Sequence, residues 1–254
     1  MLATLWLATL LIGLAAWTVH DKREYATFKT VQESEARRAF YRRWTWQSFV
    51  FLVGATTVTL FVLDAENAIF GVPAAFADIA TALVPSAKAS KMSGDGTAGF
   101  AIGLFIGIAI LVLVQARRVR KMMVPVIGDI EPLIPRNRAE MLAVLPLCIN
   151  AGVSEELFFR LALPMLIAHV TGSAIVGLVG AAVLFGLIHA YQGWKGVIAT
   201  MVVGAVLTLV YLRSGSIFRP MMLHALMDVV ALIVRPLVTE RLARSRRARP
   251  ASAA

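Results

Sequence analysis

A chain of 254 residues that is 59% hydrophobic and 16% charged, with mean hydropathy +0.76, is too poor in charge to be a soluble domain of its length. The net charge of +10 would suit nucleic acid, but no soluble basic domain exists to carry it; most of it falls in short loops and the tail, as membrane insertion requires. The single Cys148 excludes an intramolecular disulfide, argues against a cysteine-based zinc site, and reads as a small packing residue in its apolar run. The expected fold is an all-α polytopic transmembrane bundle of about seven passes.

The first apolar span covers residues 2–19 and lacks the basic start and small-residue cleavage signal of a secretory peptide, so it reads as a retained helix. His20 closes it as an interfacial residue. Residues 21–43, with seven Lys/Arg and four acids, read as a solvated loop or amphipathic helix. The second span is 44–63, with Trp44 and Trp46 as interfacial anchors. A long connector rich in Ala, Pro and Gly follows over 64–98, of which 74–84 can lie along the interface. The third span, 99–114, ends at Arg117, Arg118, Arg120 and Lys121; Pro125, Pro132 and Pro135 then forbid a continuous helix.

Residues 139–170 are too long for one simple pass, and Pro146, Asn150 and Gly152 mark a bend. Thr171, Gly172 and Ser173 form a turn. The span 174–190 carries Gly177, Gly180 and Gly186, which permit close helix contacts. Spans 196–212 and 220–238 complete the bundle, and 241–249 is a basic tail suited to anionic lipid. With 139–170 as one bent pass, the inner segments hold 20 Lys/Arg and the outer segments four, which places the N-terminus outside and the C-terminus in the cytoplasm of a multi-pass plasma-membrane protein. The expected organisation is an N-terminal membrane region (1–138), a catalytic helical core (139–238) and the tail (239–254).

Ionisable residues inside such helices are costly and therefore point to function. Glu155, Glu156 and Arg160 lie in one of the most apolar stretches. Glu156 and Arg160 are spaced i,i+4 with the acid first, the favourable order for a helical ion pair. Glu155 points about 100° away, has Phe158 and Phe159 as its i+3 and i+4 neighbours, and is left desolvated beside a like charge, an environment that suits a general base. The bland alternative is a structural ion pair with a spare glutamate. Two more clusters follow: Phe185-x-x-x-His189, and His224-x-x-x-Asp228 on one helix face. His169, alone, reads as a packing residue. Three polar clusters in one set of spans would each be costly unless they meet. His189 lies near the end of one span and His224 near the start of the span after next, so a link must dip into the membrane or the intervening helix must tilt.

In order and spacing, the motifs Glu155-Glu156-x-x-x-Arg160, Phe185-x-x-x-His189 and His224-x-x-x-Asp228 resemble the three signatures of the CAAX-protease and bacteriocin-processing (CPBP, or Abi) family of intramembrane endopeptidases, over about 139–238. The resemblance implies roles like those in the family's type II CAAX prenyl endopeptidase. Glu155 matches the glutamate that activates water and His189 the histidine that assists it. Glu156 and Arg160 match the supporting pair. His224 and Asp228 match the His and Asn that hold the oxyanion. Asp228 departs from that Asn: an ionised Asp would repel an oxyanion, so it is protonated or orients His224.

No Ser or Cys nucleophile has a matching constellation; Ser154 lies beside Glu155 without an orienting triad. No cofactor is expected, the alternative being zinc held by Glu155, His189 and His224. The expected partners are a membrane-associated protein or peptide substrate and the lipid bilayer, with no nucleic acid; oligomeric state and substrate identity are not legible. A non-catalytic immunity or maturation factor of the same family is the alternative function. A proton-coupled transporter would predict inverted repeats, and none is visible.

Overall fold

A computed structural model describes residues 1–83 and 128–247, and every regular element among them is helical. The expected third span, 99–114, with Arg117, Arg118, Arg120, Lys121 and Pro125, lies outside the described residues. Helix α1, Leu2–Thr30, and helix α2, Ser34–Val62, form an antiparallel hairpin. Trp6 Nε1 donates to Thr59 Oγ1 (2.9 Å), and the Trp17 and Phe51 rings stack at 5.0 Å. The short helix α3, Ala74–Leu83, is followed after the undescribed stretch by α4, Arg138–Thr171. Then come α5, Ala174–Ile188, α6, Ala190–Ser214, and α7, Phe218–Arg241. Five of these (α1, α2, α4, α6, α7) are long and apolar enough to cross a membrane, so the molecule is a helical membrane bundle.

The caps follow from the sequence. Asn137 Oδ1 accepts from the Glu140 amide (2.9 Å) at the start of α4. Gly172 ends α4 at φ +72°, a left-handed conformation that favours glycine. Glycines also set the helix spacing. A Cβ on Gly177 would sit 2.4 Å from the Pro164 carbonyl oxygen, and one on Gly186 would sit 2.9 Å from the Val197 oxygen. Gly180 makes only ordinary contact, 3.5 Å to Ile167 Cδ1.

The expected bend in α4 takes the form of wider, π-helical winding over Ala151–Glu155 and Leu157–Ala162. Pro146, one turn earlier, removes an amide donor from the helix. Such winding rotates side chains away from their ordinary helical positions and recurs at functional sites. A similar turn occurs in α7 at Val230–Val234, just after His224 and Asp228.

Three expectations are corrected. Of the two readings of residues 21–43, the solvated loop fails and the amphipathic helix holds: α1 runs on to Thr30, and α2 starts three residues after Val31 begins the turn. Tyr25, Phe28 and Tyr41 are buried against Leu133, Val144 and Cys148, so an apolar face extends the hairpin onto the rest of the bundle. Helix α5 stops at Ile188 and, with 15 residues, is about 22 Å long, short of the ~30 Å hydrocarbon layer. His169 is exposed at the end of α4 rather than packed.

Candidate active site

The shortness of α5 resolves the problem of depth. His189 is the C-terminal cap of that helix, and its Nδ1–H donates to the Phe185 carbonyl at 2.7 Å, satisfying an end carbonyl. Phe185 in turn packs against Gly204, well inside α6, where a Cβ would lie 2.8 Å from its ring. Helix α7 then brings His224 alongside: Phe185 and His224 meet edge to face at 5.9 Å, and Phe185 and His189 lie 4.9 Å apart. One phenyl ring therefore separates the two histidines. Residues 190–192 make a single tight turn into α6.

Helix α4 contributes the charges. Glu156 and Arg160 are both fully buried, with Oε2 to Nε at 3.0 Å, a close charge contact without hydrogen-bond alignment. The remaining guanidinium nitrogens have no hydrogen-bond partner, and the group stacks on Phe185 at 4.2 Å. The other oxygen of Glu156 accepts from His224 Nδ1–H at 2.7 Å. Glu156 thus links α4 to α7 across 68 positions of sequence. Gly152 makes this approach possible: a Cβ there would lie 2.6 Å from the Ala225 amide nitrogen and 2.7 Å from the Met221 oxygen.

Glu155 is separate from that network. Its Oε2 lies 3.8 Å from His189 Nε2 and is buried without a hydrogen-bond partner. Asp228 Oδ2 lies 3.8 Å from His224 Nε2. Because both Nδ1 atoms bond to acceptors, both Nε2 atoms are left for chemistry. Glu155, His189, His224 and Asp228 all line one cavity of about 400 Å³. Ser154 is not a nucleophile in waiting: fully buried, it donates to the Asn150 carbonyl at 2.8 Å.

All six residues singled out in the sequence therefore lie in one connected group. Three features were not legible. Glu156 binds His224 as well as Arg160; Phe185 touches Arg160, His189 and His224; and α1 and α2 supply cavity wall through Trp17, Asp21, Tyr25, Trp44 and Ser48. Asp21 alone had a signal, as a carboxylate about half a turn beyond an apolar run. Among the described residues, no three His, Cys, Asp or Glu side chains are arranged to hold a metal ion. Of the zinc set considered above, His224 has its Nδ1 engaged by Glu156 and His189 its Nδ1 engaged by Phe185, so each would have to ligate through Nε2.

The fold and the buried ionisable centre define a multi-pass helical membrane protein with chemistry inside its bundle. Residues 137–230 match the family model of the Type II CAAX prenyl endopeptidase Rce1-like proteins. This partial match is consistent with the CAAX-protease (CPBP) family, whose members are in general intramembrane proteases acting on membrane-associated proteins. The matched segment holds all three motifs and leaves out α1 and α2. No curated protein and no solved structure matches the chain.

Proposed function

We propose that this protein is a glutamate-dependent intramembrane endopeptidase that hydrolyses a peptide bond of a membrane-associated protein or peptide. The observation that carries the proposal is Glu155 Oε2: buried, without a hydrogen-bond partner, 3.8 Å from His189 Nε2 and facing the cavity. The two atoms are close enough for one water to touch both. Glu155 takes a proton from that water, the water oxygen attacks the substrate carbonyl, and His189 holds the water in place. Collapse of the tetrahedral intermediate breaks the C–N bond, and Glu155 returns the proton to the leaving amine.

The oxyanion accepts from the Nε2–H of His224, which acts here as the imidazolium, its other N–H being donated to Glu156. The His224 ring is fixed by Glu156, whose charge is offset by Arg160. Asp228 acts through His224, holding the Nε2 side of the ring rather than touching the oxyanion. No metal takes part in this scheme, and the complete Glu155, His189 and His224 set weighs against a non-catalytic member of the family. The asymmetry of Lys/Arg supports a plasma-membrane orientation with the N-terminus outside and the C-terminus cytoplasmic.

The test uses the purified full chain in liposomes with a pool of membrane proteins, wild type against Glu155→Gln, each with and without a zinc chelator. Cleavage falls by about 10³-fold in the variant, within the range of a general base, and is unchanged by the chelator. Equal cleavage by the variant overturns the role of Glu155. Loss with the chelator and recovery with zinc transfers the chemistry to a metal.

A further inference from the structure

The cavity does not end at the candidate catalytic groups. Its far wall is built by Trp17, Asp21, Tyr25 and Trp44 from α1 and α2, with Tyr191 from the start of α6. The rings make a continuous path back to the site, with Tyr25 to Tyr191 at 5.0 Å and Tyr191 to His189 at 5.8 Å. Tyr191, Asp21 and Glu155 all line this one cavity.

Asp21 is the one charged group on this wall. Its Oδ2 accepts from the neutral Trp17 Nε1–H at 3.0 Å, and among the described residues it has no lysine or arginine within ion-pair distance. Several nearby side chains have other partners: Arg43 and His20 lie against Glu24 (2.7 and 3.4 Å), Arg37 pairs with Glu140 (3.0 Å), and Lys29 pairs with Asp129 (2.6 Å) while its ammonium lies 5.1 Å from the Tyr25 ring. Lys22 and Arg23, next to Asp21 in sequence, are exposed and make no ion pair with it. Among the described residues, no lysine or arginine lines the cavity, while Asp21, Glu155 and Asp228 do, and Glu155 Oε2 has no hydrogen-bond partner there. A carboxylate framed by indole and phenol rings is a receptor for a cation, by charge and by cation–π attraction.

We infer that this wall is a subsite for a lysine or arginine side chain of the substrate, next to the scissile bond. The inference rests on the proteolytic reading for the identity of the ligand as substrate. Position favours a basic flank: Asp21 follows the apolar run of α1 by about half a turn. That is the depth at which membrane segments carry their Lys/Arg residues. The substrate class is then a membrane-anchored segment cut beside its basic boundary. The specificity residue lies on helices outside the family-matched segment.

The test measures binding, so it does not depend on turnover. The full chain in phosphatidylcholine nanodiscs is titrated against a labelled, capped Leu/Ala-rich dodecapeptide with one central arginine, and against the same peptide with glutamine or glutamate in its place. Empty nanodiscs supply the background. The arginine peptide binds about tenfold tighter than the glutamine peptide, the scale of one charge-assisted hydrogen bond, and the glutamate peptide binds weakest. The preference vanishes in Asp21→Asn and stays in Asp21→Glu. Equal affinity for the arginine and glutamine peptides in the wild type overturns the inference, whatever the variants do. A preference that survives in Asp21→Asn removes it from Asp21. If the preference holds while Glu155→Gln still cuts normally, the subsite stands and the proposed catalytic role of Glu155 falls; the opposite pattern leaves the protease reading and discards the subsite.

Discussion

Among the described residues the bundle buries two arginine–glutamate pairs, and they differ in how completely they are satisfied. Arg37 on α2 donates to Glu140 (3.0 Å), to Tyr41 (3.0 Å) and to the carbonyls of Pro132 and Ile134 (2.7 and 3.3 Å), while its guanidinium lies 4.2 Å from the centre of the Phe28 ring. Glu140 also accepts from the Arg136 amide (3.0 Å) and from Asn137 Nδ2 (3.3 Å). Arg160 on α4 has the same kind of partner and the same ring stacking, but its hydrogen-bond capacity is unmet. A fully satisfied buried pair stabilises a junction, whereas an incompletely satisfied one is costly and calls for another reason to be there. Arg37 and Glu140 latch the α1–α2 hairpin onto the start of α4. Arg160 and Glu156 hold His224.

The sharpest way to break this contrast is Arg37→Ala. It leaves Glu140 buried without its main cation, and the unfolding free energy in detergent falls by about 3–5 kcal/mol. Cleavage per folded molecule stays near wild type. A variant that is stable but inactive would put Arg37 in the chemistry and erase the distinction.

Gly152→Ala probes the junction at the other pair. Its Cβ would meet the backbone of Ala225 and Met221, which cannot turn aside as a side chain can. The expected loss of stability is smaller, about 1–3 kcal/mol. The backbone it displaces carries His224 next to Ala225, however, so cleavage falls by about tenfold or more in protein that still folds. Matched melting and cleavage assays on one preparation separate the two effects; activity that merely follows the folded fraction would show that the α4–α7 spacing does not set the chemistry.

The smallest effect is expected for Asp228→Asn. If Asp228 acts through His224, an amide still donates or accepts near Nε2, and cleavage stays within about threefold of wild type. A loss of two orders of magnitude would mean that the carboxylate itself handles a proton.

Local spacing made much of the site legible. Glu156 and Arg160 are an i,i+4 pair in the sequence and a close pair in space. The cost of placing Glu155, His189, His224 and Asp228 in apolar helices argued that they meet, and they line one cavity. The hidden parts were those that depend on which helix faces which. Glu156 is too far along the chain from His224 for any periodicity to join them. Arg37 and Arg136 both reach Glu140, and of the two readings of 21–43 the amphipathic helix holds over the loop, because its buried aromatic face packs against α4.

By itself the sequence determined a helical membrane protein, its breaks at glycine and proline, and three motifs on apolar helices. These follow from composition and from short-range geometry, where a residue's neighbours are fixed by the helix. Only the tertiary structure decided that α5 stops short at His189, that Glu156 is shared between Arg160 and His224, and that Asp21 faces the same cavity as Glu155. Each depends on contacts between helices remote in the chain, set by how glycines and rings pack rather than by any local repeat.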